Sequence, residues 1–159
     1  MGRLVQNEGH MTSKGKHQGE GPESAASKSR PAHNQEKGQV DFELEFFGDI
    51  LQRHPDYVDV LRVMGTLLTL KGRHKEGLEI DRRLVRLRPK DALAQYNLAC
   101  SYALLKRLDQ ALQALRKAIE MGYRDFKWLN QDPDLADLRE HPLYKGIRAK
   151  IRKIKAKKS

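Results

Sequence analysis

Apolar residues recur at helical spacing along the middle of this chain, and polar turn residues divide them into short blocks. One apolar stripe covers residues 61–70 and ends at the turn 71–73. A second stripe covers residues 78–87 and ends at Arg88-Pro89. Because apolar residues three and four positions apart lie on one face of an α-helix, this pattern predicts two helices joined by a short turn.

The same pattern returns after 34 residues. Residues 58–91 align with residues 92–125 so that large side chains meet large ones, as Met64 meets Leu98. A fixed period of this length is typical of stacked helical arrays. Such arrays present extended surfaces, which favours a binding function over catalysis.

A half-copy precedes the two full copies. Pro55 lies the same 34 residues before Pro89, which predicts one helix of an incomplete unit at residues 41–57. Aspartates that precede helical blocks are expected N-caps because their carboxylates accept hydrogen bonds from exposed backbone N–H groups. The expected N-caps are Asp56, Asp91 and Asp109.

Small residues stand where the helices of each hairpin should cross. Gly65 and Ala99 occupy equivalent positions in the first helices, and Gly77 and Ala111 in the second helices. Close helix approach needs small side chains at the crossing point. Since a glycine inside a helix costs about 0.5–1 kcal/mol relative to alanine, two of them in one copy indicate a packing role.

These positions resemble the tetratricopeptide repeat (TPR). The matching residues are Leu61, Met64, Gly65, Leu68, Gly77, Leu84 and Pro89 in the first copy, and Leu98, Ala99, Tyr102, Ala111, Leu115 and Ala118 in the second. Gln95, Asp81 and Tyr123 depart from the pattern. The resemblance implies an all-α, right-handed solenoid of helical hairpins, in which the first helices line a concave groove for a partner peptide or helix.

After residue 125 the period is lost. Pro133 and Pro142 divide residues 126–144 into short helical pieces, which we expect to form a degenerate terminal unit anchored by Trp128 and Leu129. Residues 145–159 are predicted to form a basic capping helix and tail. Its expected apolar face consists of Leu143, Ile147, Ile151 and Ile154.

Charge and composition separate both ends of the chain from the array. Residues 1–40 contain no aromatic side chain and few aliphatic ones, which predicts a disordered arm. The net charge of +10 is concentrated at the other end, where residues 145–159 hold eight basic residues and no acidic one. An electrostatic partner would therefore meet the C-terminal tail.

The sequence offers no parts for catalysis, so no enzyme activity, metal or cofactor is predicted. The six histidines are scattered, and no phosphate loop or nucleophile motif is present. The cluster of Asp132, Asp134 and Asp137 lacks the glycine and closing glutamate of a calcium loop, which favours N-caps around a proline turn. A single cysteine and the absence of a signal-like apolar segment favour the cytoplasm.

The TPR register implies a set of groove residues. They are Arg62, Val63, Thr66, Leu70, Tyr96, Asn97 and Cys100, with Lys127 at the edge. Some TPR proteins hold an acidic C-terminal peptide through a clamp of Lys, Asn and Arg. Arg62, Asn97 and Lys127 could fill three clamp places, but Thr66 and Gln131 stand in two others, so an ordinary groove is the simpler interpretation.

The basic tail supports a second hypothesis, namely binding of nucleic acid or an anionic membrane surface. Its cations are Lys145, Arg148, Lys150, Arg152, Lys153, Lys155, Lys157 and Lys158. Such binding should weaken steeply with salt. The tail has no aromatic residue after Tyr144 on which bases could stack, and a solvated capping helix is the alternative explanation.

A homodimer is the third kind of partner that the sequence allows. Five apolar residues crowd the helix of the half-copy, namely Phe42, Phe46, Phe47, Ile50 and Leu51. They are either a dimer face or the core contact with the helix that follows.

Overall fold

The computed structural model describes the backbone of residues 32–158 and the side chains of residues 38–158. Within residues 32–158 all regular elements are helical. The α-helices are α1 (Ala32–Arg53), α2 (Val58–Leu70), α3 (His74–Leu87), α4 (Ala92–Leu104), α5 (Leu108–Glu120), α6 (Phe126–Leu129), α7 (Ala136–Glu140) and α8 (Lys145–Ala156). The predicted all-α class is confirmed, and the hairpins α2–α3 and α4–α5 coincide with the two copies of the repeat.

Helix α1 differs from its predicted start. It begins at Ala32, so residues 32–40 belong to a helix and not to the arm predicted over residues 1–40. A helix of this length can extend beyond its apolar stripe, which starts at Val40, because backbone hydrogen bonds propagate it. Residues 1–31 of the predicted arm lie outside the described residues.

The two hairpins close with the same backbone hydrogen bonds. The N–H of Arg73 donates to the carbonyl of Leu68 at 2.9 Å, and the N–H of Arg107 donates to that of Tyr102 at 2.9 Å. Both turns need a residue with positive φ before the arginine, and this residue is Gly72 in one copy and Lys106 in the other. The two copies therefore share the turn geometry even where the side chain differs.

Only one of the three expected N-caps is formed as predicted. Asp91 caps α4 by accepting a hydrogen bond from the Ala94 N–H at 3.0 Å. Asp56 instead forms an ion pair with Arg83, and Asp109 lies within the first turn of α5. The N-terminal flanking residues of α2 and α5 are Tyr57 and Arg107, which provide no side-chain cap.

A buried polar contact explains one departure from the repeat pattern. Asp81 stands in α3 where the pattern expects an aromatic residue, and it is fully buried. The Ser101 hydroxyl of α4 donates to its carboxylate at 2.5 Å. A buried carboxylate requires such a donor, so Asp81 of the first copy and Ser101 of the second form a matched pair.

The core runs through the array as three connected clusters. Ile80 packs against both the cluster around Leu44, Leu67 and Leu68 and the cluster around Leu61 and Leu84. Val85 joins the latter to the large C-terminal cluster, which extends from Leu78 to Ile151. The terminal unit is thus continuous with the repeats.

The terminal unit closes the C-terminal end of the array. Leu129 is fully buried and Trp128 is half-buried, which places both anchors against the core. Ile147 and Ile151 of α8 are buried and Ile154 is partly buried, but Leu143 is 55% exposed. Leu143 lies in the 3₁₀ turn Pro142–Tyr144, and the neighbouring Tyr144 is buried instead. The apolar face of α8 is therefore shorter than predicted.

Candidate binding groove

The predicted groove residues occupy equivalent positions in α2 and α4 but have different surroundings. On α2, Val63 is 37% exposed and Leu70 is 46% exposed. One repeat length later, Asn97 is buried and Leu104 is half-buried on α4. The groove face is therefore open on the first copy and largely closed on the second.

Tyr96 and Cys100 lie beneath the surface and not on it, contrary to their prediction as groove contacts. The Tyr96 ring stacks on Tyr123, with ring centroids 4.1 Å apart. Its hydroxyl donates to the carboxylate of Asp132 at 2.5 Å, and the Cys100 thiol lies 3.7 Å from the same carboxylate. The chain's own terminal unit, through the 3₁₀ turn Pro133–Leu135 that packs on α4, covers this part of the groove.

Asp132 is the residue whose role the sequence did not reveal. It is fully buried, and besides the Tyr96 hydroxyl it accepts the Asp134 N–H at 2.9 Å, so it caps the 3₁₀ turn as the sequence suggested. Burial raises its pKa above the ordinary value, and the hydrogen bond from Tyr96 only partly offsets this effect. Burial also raises the pKa of Tyr96 strongly. The only sequence signal for this buried contact was Tyr96, a large side chain with a hydroxyl group at a predicted groove position.

Arg62 is held by another carboxylate. It forms an ion pair with Asp91, the residue that caps α4. Burial alone would raise the pKa of Asp91, but hydrogen bonds from the Ala94 N–H and from Arg62 leave it below its ordinary value. Arg62 therefore joins the two copies, and its charge is already balanced within the chain.

The remaining predicted positions supply one unusual group. The side-chain oxygen Oδ1 of Asn97 is buried and has no hydrogen-bond partner among the described residues. Thr66 donates its hydroxyl to the Arg62 carbonyl at 3.3 Å, and Lys127 and Gln131 are exposed. The structure thus brings Arg62, Val63, Thr66 and Leu70 onto one helix, with Lys127 on a separate element.

The predicted basic tail is only partly engaged. Lys150 pairs with Glu120 of α5 at 2.6 Å, and the Arg148 guanidinium lies 5.1 Å from the centre of the Tyr144 ring. Lys145, Arg152, Lys153, Lys157 and Lys158 are exposed, and Lys155 is exposed but also interacts with another group of the chain. No group of three or more metal-binding side chains occurs in the part of the chain that the structure describes.

Comparison with known proteins places the fold. No protein-family model matches the sequence. The solved structure of the MamA RS-1 ArsTM double mutant superimposes with a TM-score of 0.61 at 18% sequence identity, over 79% of this chain and 71% of that one. The fold is a TPR-like helical solenoid.

Two proteins share sequence with the chain. It is 35% identical over 79 residues to a protein of Arabidopsis thaliana that is named as chloroplastic, and the match covers 48% of this chain and 24% of that protein. It is 27% identical over 93 residues to "BBSome complex member BBS4" of Mus musculus, and this match covers 58% and 18% respectively. The chain therefore spans less than a quarter of the length of either relative, and neither relative is named as an enzyme.

The described helices also include none that is long and apolar enough to pass through a bilayer.

Proposed function

We propose that the chain is a protein-binding repeat module that receives a helix or extended peptide on the groove face of α2. The single observation that supports this most strongly is the exposure of Val63 and Leu70 on one face of a helix whose other apolar residues are buried or half-buried. Residues seven positions apart lie on the same side of a helix, so the two side chains form one apolar strip. The BBS4 relative, which is named as a member of a complex, is consistent with an adaptor role.

The chemistry of the strip defines the partner. Val63 and Leu70 favour an apolar anchor on the partner helix or peptide. A carboxylate clamp is not part of the proposal because Arg62 is already paired with Asp91.

The test is quantitative affinity capture with the full chain and a double variant, Val63→Ser with Leu70→Ser. Leu143→Ser is the matched control because Leu143 is also exposed but lies in the terminal unit. We expect the double variant to lose a protein that the wild type and the control retain, with equal melting temperatures for all three. Equal recovery by all three proteins would overturn the groove assignment.

The basic tail stays a second candidate because several of its cations, including Arg152, Lys153, Lys157 and Lys158, have no acidic partner among the described residues. Removing α8 would expose the buried Ile147 and Ile151, so changing those four residues to glutamine is the cleaner test. If the tail binds polyanions, affinity for a random oligonucleotide or for anionic vesicles should fall steeply with salt and be lost in the glutamine variant.

The predicted cytoplasmic location stays a prediction, since one relative is named as chloroplastic. Imaging of the chain fused to a fluorescent protein in its own cells would test it.

A further inference from the structure

The outer face of α1 carries two aromatic side chains that the fold leaves uncovered. Phe42 and Phe46 lie one helical turn apart, are 65% and 52% exposed, and stack with ring centroids 6.3 Å apart. Phe47 meets Phe46 edge-on at 5.3 Å and itself packs against the cluster of Leu67 and Leu68. The helix and Phe47 therefore hold this aromatic pair in place at the surface.

The repeat explains why Phe46 is uncovered, whereas Phe42 aligns with Glu76 and Gln110, which are exposed in the complete units. Helix α1 occupies the place of a second helix, and the complete second helix α3 packs against both α2 and α4. The main contact of α1 is with α2. Phe46 lies one repeat length before Ile80, which is half-buried, and two before Ala114, which is buried. Phe46 therefore stands at a position that the complete units cover with their own first helix.

Carboxylates surround the aromatic pair. Glu43, Glu45 and Asp49 share the outer side of α1 with Phe42 and Phe46, and none of the three forms an ion pair with another described residue. Glu43 accepts a hydrogen bond from the neutral Gln39 side chain at 2.7 Å. Glu43 also occupies the position of the buried Gly77 in the first copy. A helix that covers this face must therefore bring a cation to Glu43, because burying an unpaired carboxylate is costly.

Two alternative occupants fit this face poorly. Residues 1–31 contain no aromatic side chain, and Leu4 and Val5 are their only branched aliphatic residues, so they lack the apolar stripe needed to cover two phenylalanines. A second copy of α1 would place like charges against each other, which is unfavourable in an interface. The observations favour a different molecule with positive charge.

We propose that the outer face of α1 binds a basic amphipathic helix from another protein, whose apolar stripe covers Phe42 and Phe46 and whose Lys or Arg side chains pair with Glu43, Glu45 and Asp49. This surface lies on a different helix from the groove face of α2. The whole chain carries a net charge of +10, which repels a cationic helix. Binding of a cationic helix therefore has to be local to the acidic face of α1.

The test uses the full chain and a fluorescent peptide of about five helical turns, in which leucine recurs at helical spacing and lysine flanks it. A second peptide keeps the leucines and replaces lysine with glutamate. We expect the lysine peptide to bind about tenfold more tightly, and Phe42→Ala with Phe46→Ala to weaken it about tenfold, as for central aromatic contacts. The triple variant Glu43→Lys, Glu45→Lys and Asp49→Lys should reverse the preference between the peptides.

The controls separate this proposal from others. The groove variant Val63→Ser with Leu70→Ser should bind the lysine peptide as the wild type does, and circular dichroism should show that every variant is folded. Equal affinity for the two peptides, or affinity unchanged by the phenylalanine substitutions, would overturn the proposal. A dimer of the chain alone that the same phenylalanine substitutions abolish would also overturn it, because the occupant would then be a second copy.

Discussion

Lys106 carries a conformational cost that its counterpart Gly72 does not. Both residues occupy the turn of a hairpin with positive φ, +60° for Lys106 and +71° for Gly72. A side chain in this left-handed conformation costs about 1–2 kcal/mol, whereas glycine adopts it freely at an entropic cost of about 0.5–1 kcal/mol. The ion pair of Lys106 with Asp137 is exposed and offsets little of this cost.

We therefore expect Lys106→Gly to stabilise the protein by about 0.5 kcal/mol and Gly72→Lys to destabilise it by a similar or larger amount. The space around Gly72 is open, so the effect there is conformational and not steric. Urea unfolding of the two variants measures it. A loss of stability in Lys106→Gly equal to that in Gly72→Lys would mean that backbone strain at Lys106 is negligible.

The contribution of the buried Asp132 to the free energy of unfolding should decrease as the pH rises, because its pKa is raised. Its pKa is raised in the folded protein, so the folded state binds more protons than the unfolded state between the ordinary and the raised pKa. The contribution of Asp132 is therefore complete below the ordinary pKa of aspartate and is lost as the pH rises through the raised one. Asp91, with a lowered pKa, contributes with the opposite sign.

Asp132→Asn removes the ionisable group while its amide oxygen can still accept the Tyr96 hydroxyl proton. The amide nitrogen then faces the Asp134 N–H, so the cap of the 3₁₀ turn is lost at every pH. We expect the stability of the variant relative to the wild type to be greatest at neutral pH and to fall as the pH falls. Asp132→Ala should instead cost about 1–3 kcal/mol, since it leaves the buried Tyr96 hydroxyl unpaired. Urea titrations at several pH values decide between these outcomes, and an advantage of Asn that grows toward acid pH would refute the assigned direction.

At the scale of helices, the features that repeat every 34 residues could be predicted from the sequence. The burial of α4 residues by the terminal unit could not. The hairpins and the small positions follow from periodic side chains, which act on neighbours in the same or the next copy. The burial of Tyr96 and Cys100 depends on Asp132, which lies in a segment without the period. The start of α1 at Ala32 was also missed, because polar residues extend that helix without an apolar stripe.

Gly65 provides a test of close helix packing. It is buried in α2, and the equivalent Ala99 in α4 is fully buried, so a larger side chain should overpack the contact. We expect Gly65→Leu to destabilise the protein by about 1–3 kcal/mol. Gly48→Leu in α1 is the matched control, because nothing lies near the position of its missing Cβ. Thermal unfolding should show a loss only for Gly65→Leu, and equal stability of the two variants would argue against tight packing at Gly65.

At the scale of the whole molecule, the connected clusters predict that the array and its terminal unit unfold together. Ile80 and Val85 link the N-terminal clusters to the large one, and the large cluster continues into α8 through Ile147 and Ile151. Each unit of a solenoid is stabilised mainly by its neighbours. Loss of the terminal unit should therefore unfold the second copy as well.

Trp128 allows this cooperativity to be measured, because it is the only tryptophan and lies in the terminal unit. We expect urea unfolding followed by Trp128 fluorescence and by far-ultraviolet circular dichroism to give coincident transitions, since the two probes then report one event. Removing residues 1–31 should leave both midpoints unchanged, because these residues contain no aromatic side chain and only two branched aliphatic ones with which to join a core. A fluorescence transition at lower urea than the loss of helix would show that the terminal unit unfolds on its own, and the groove face of α4 would then open while the repeats stay folded.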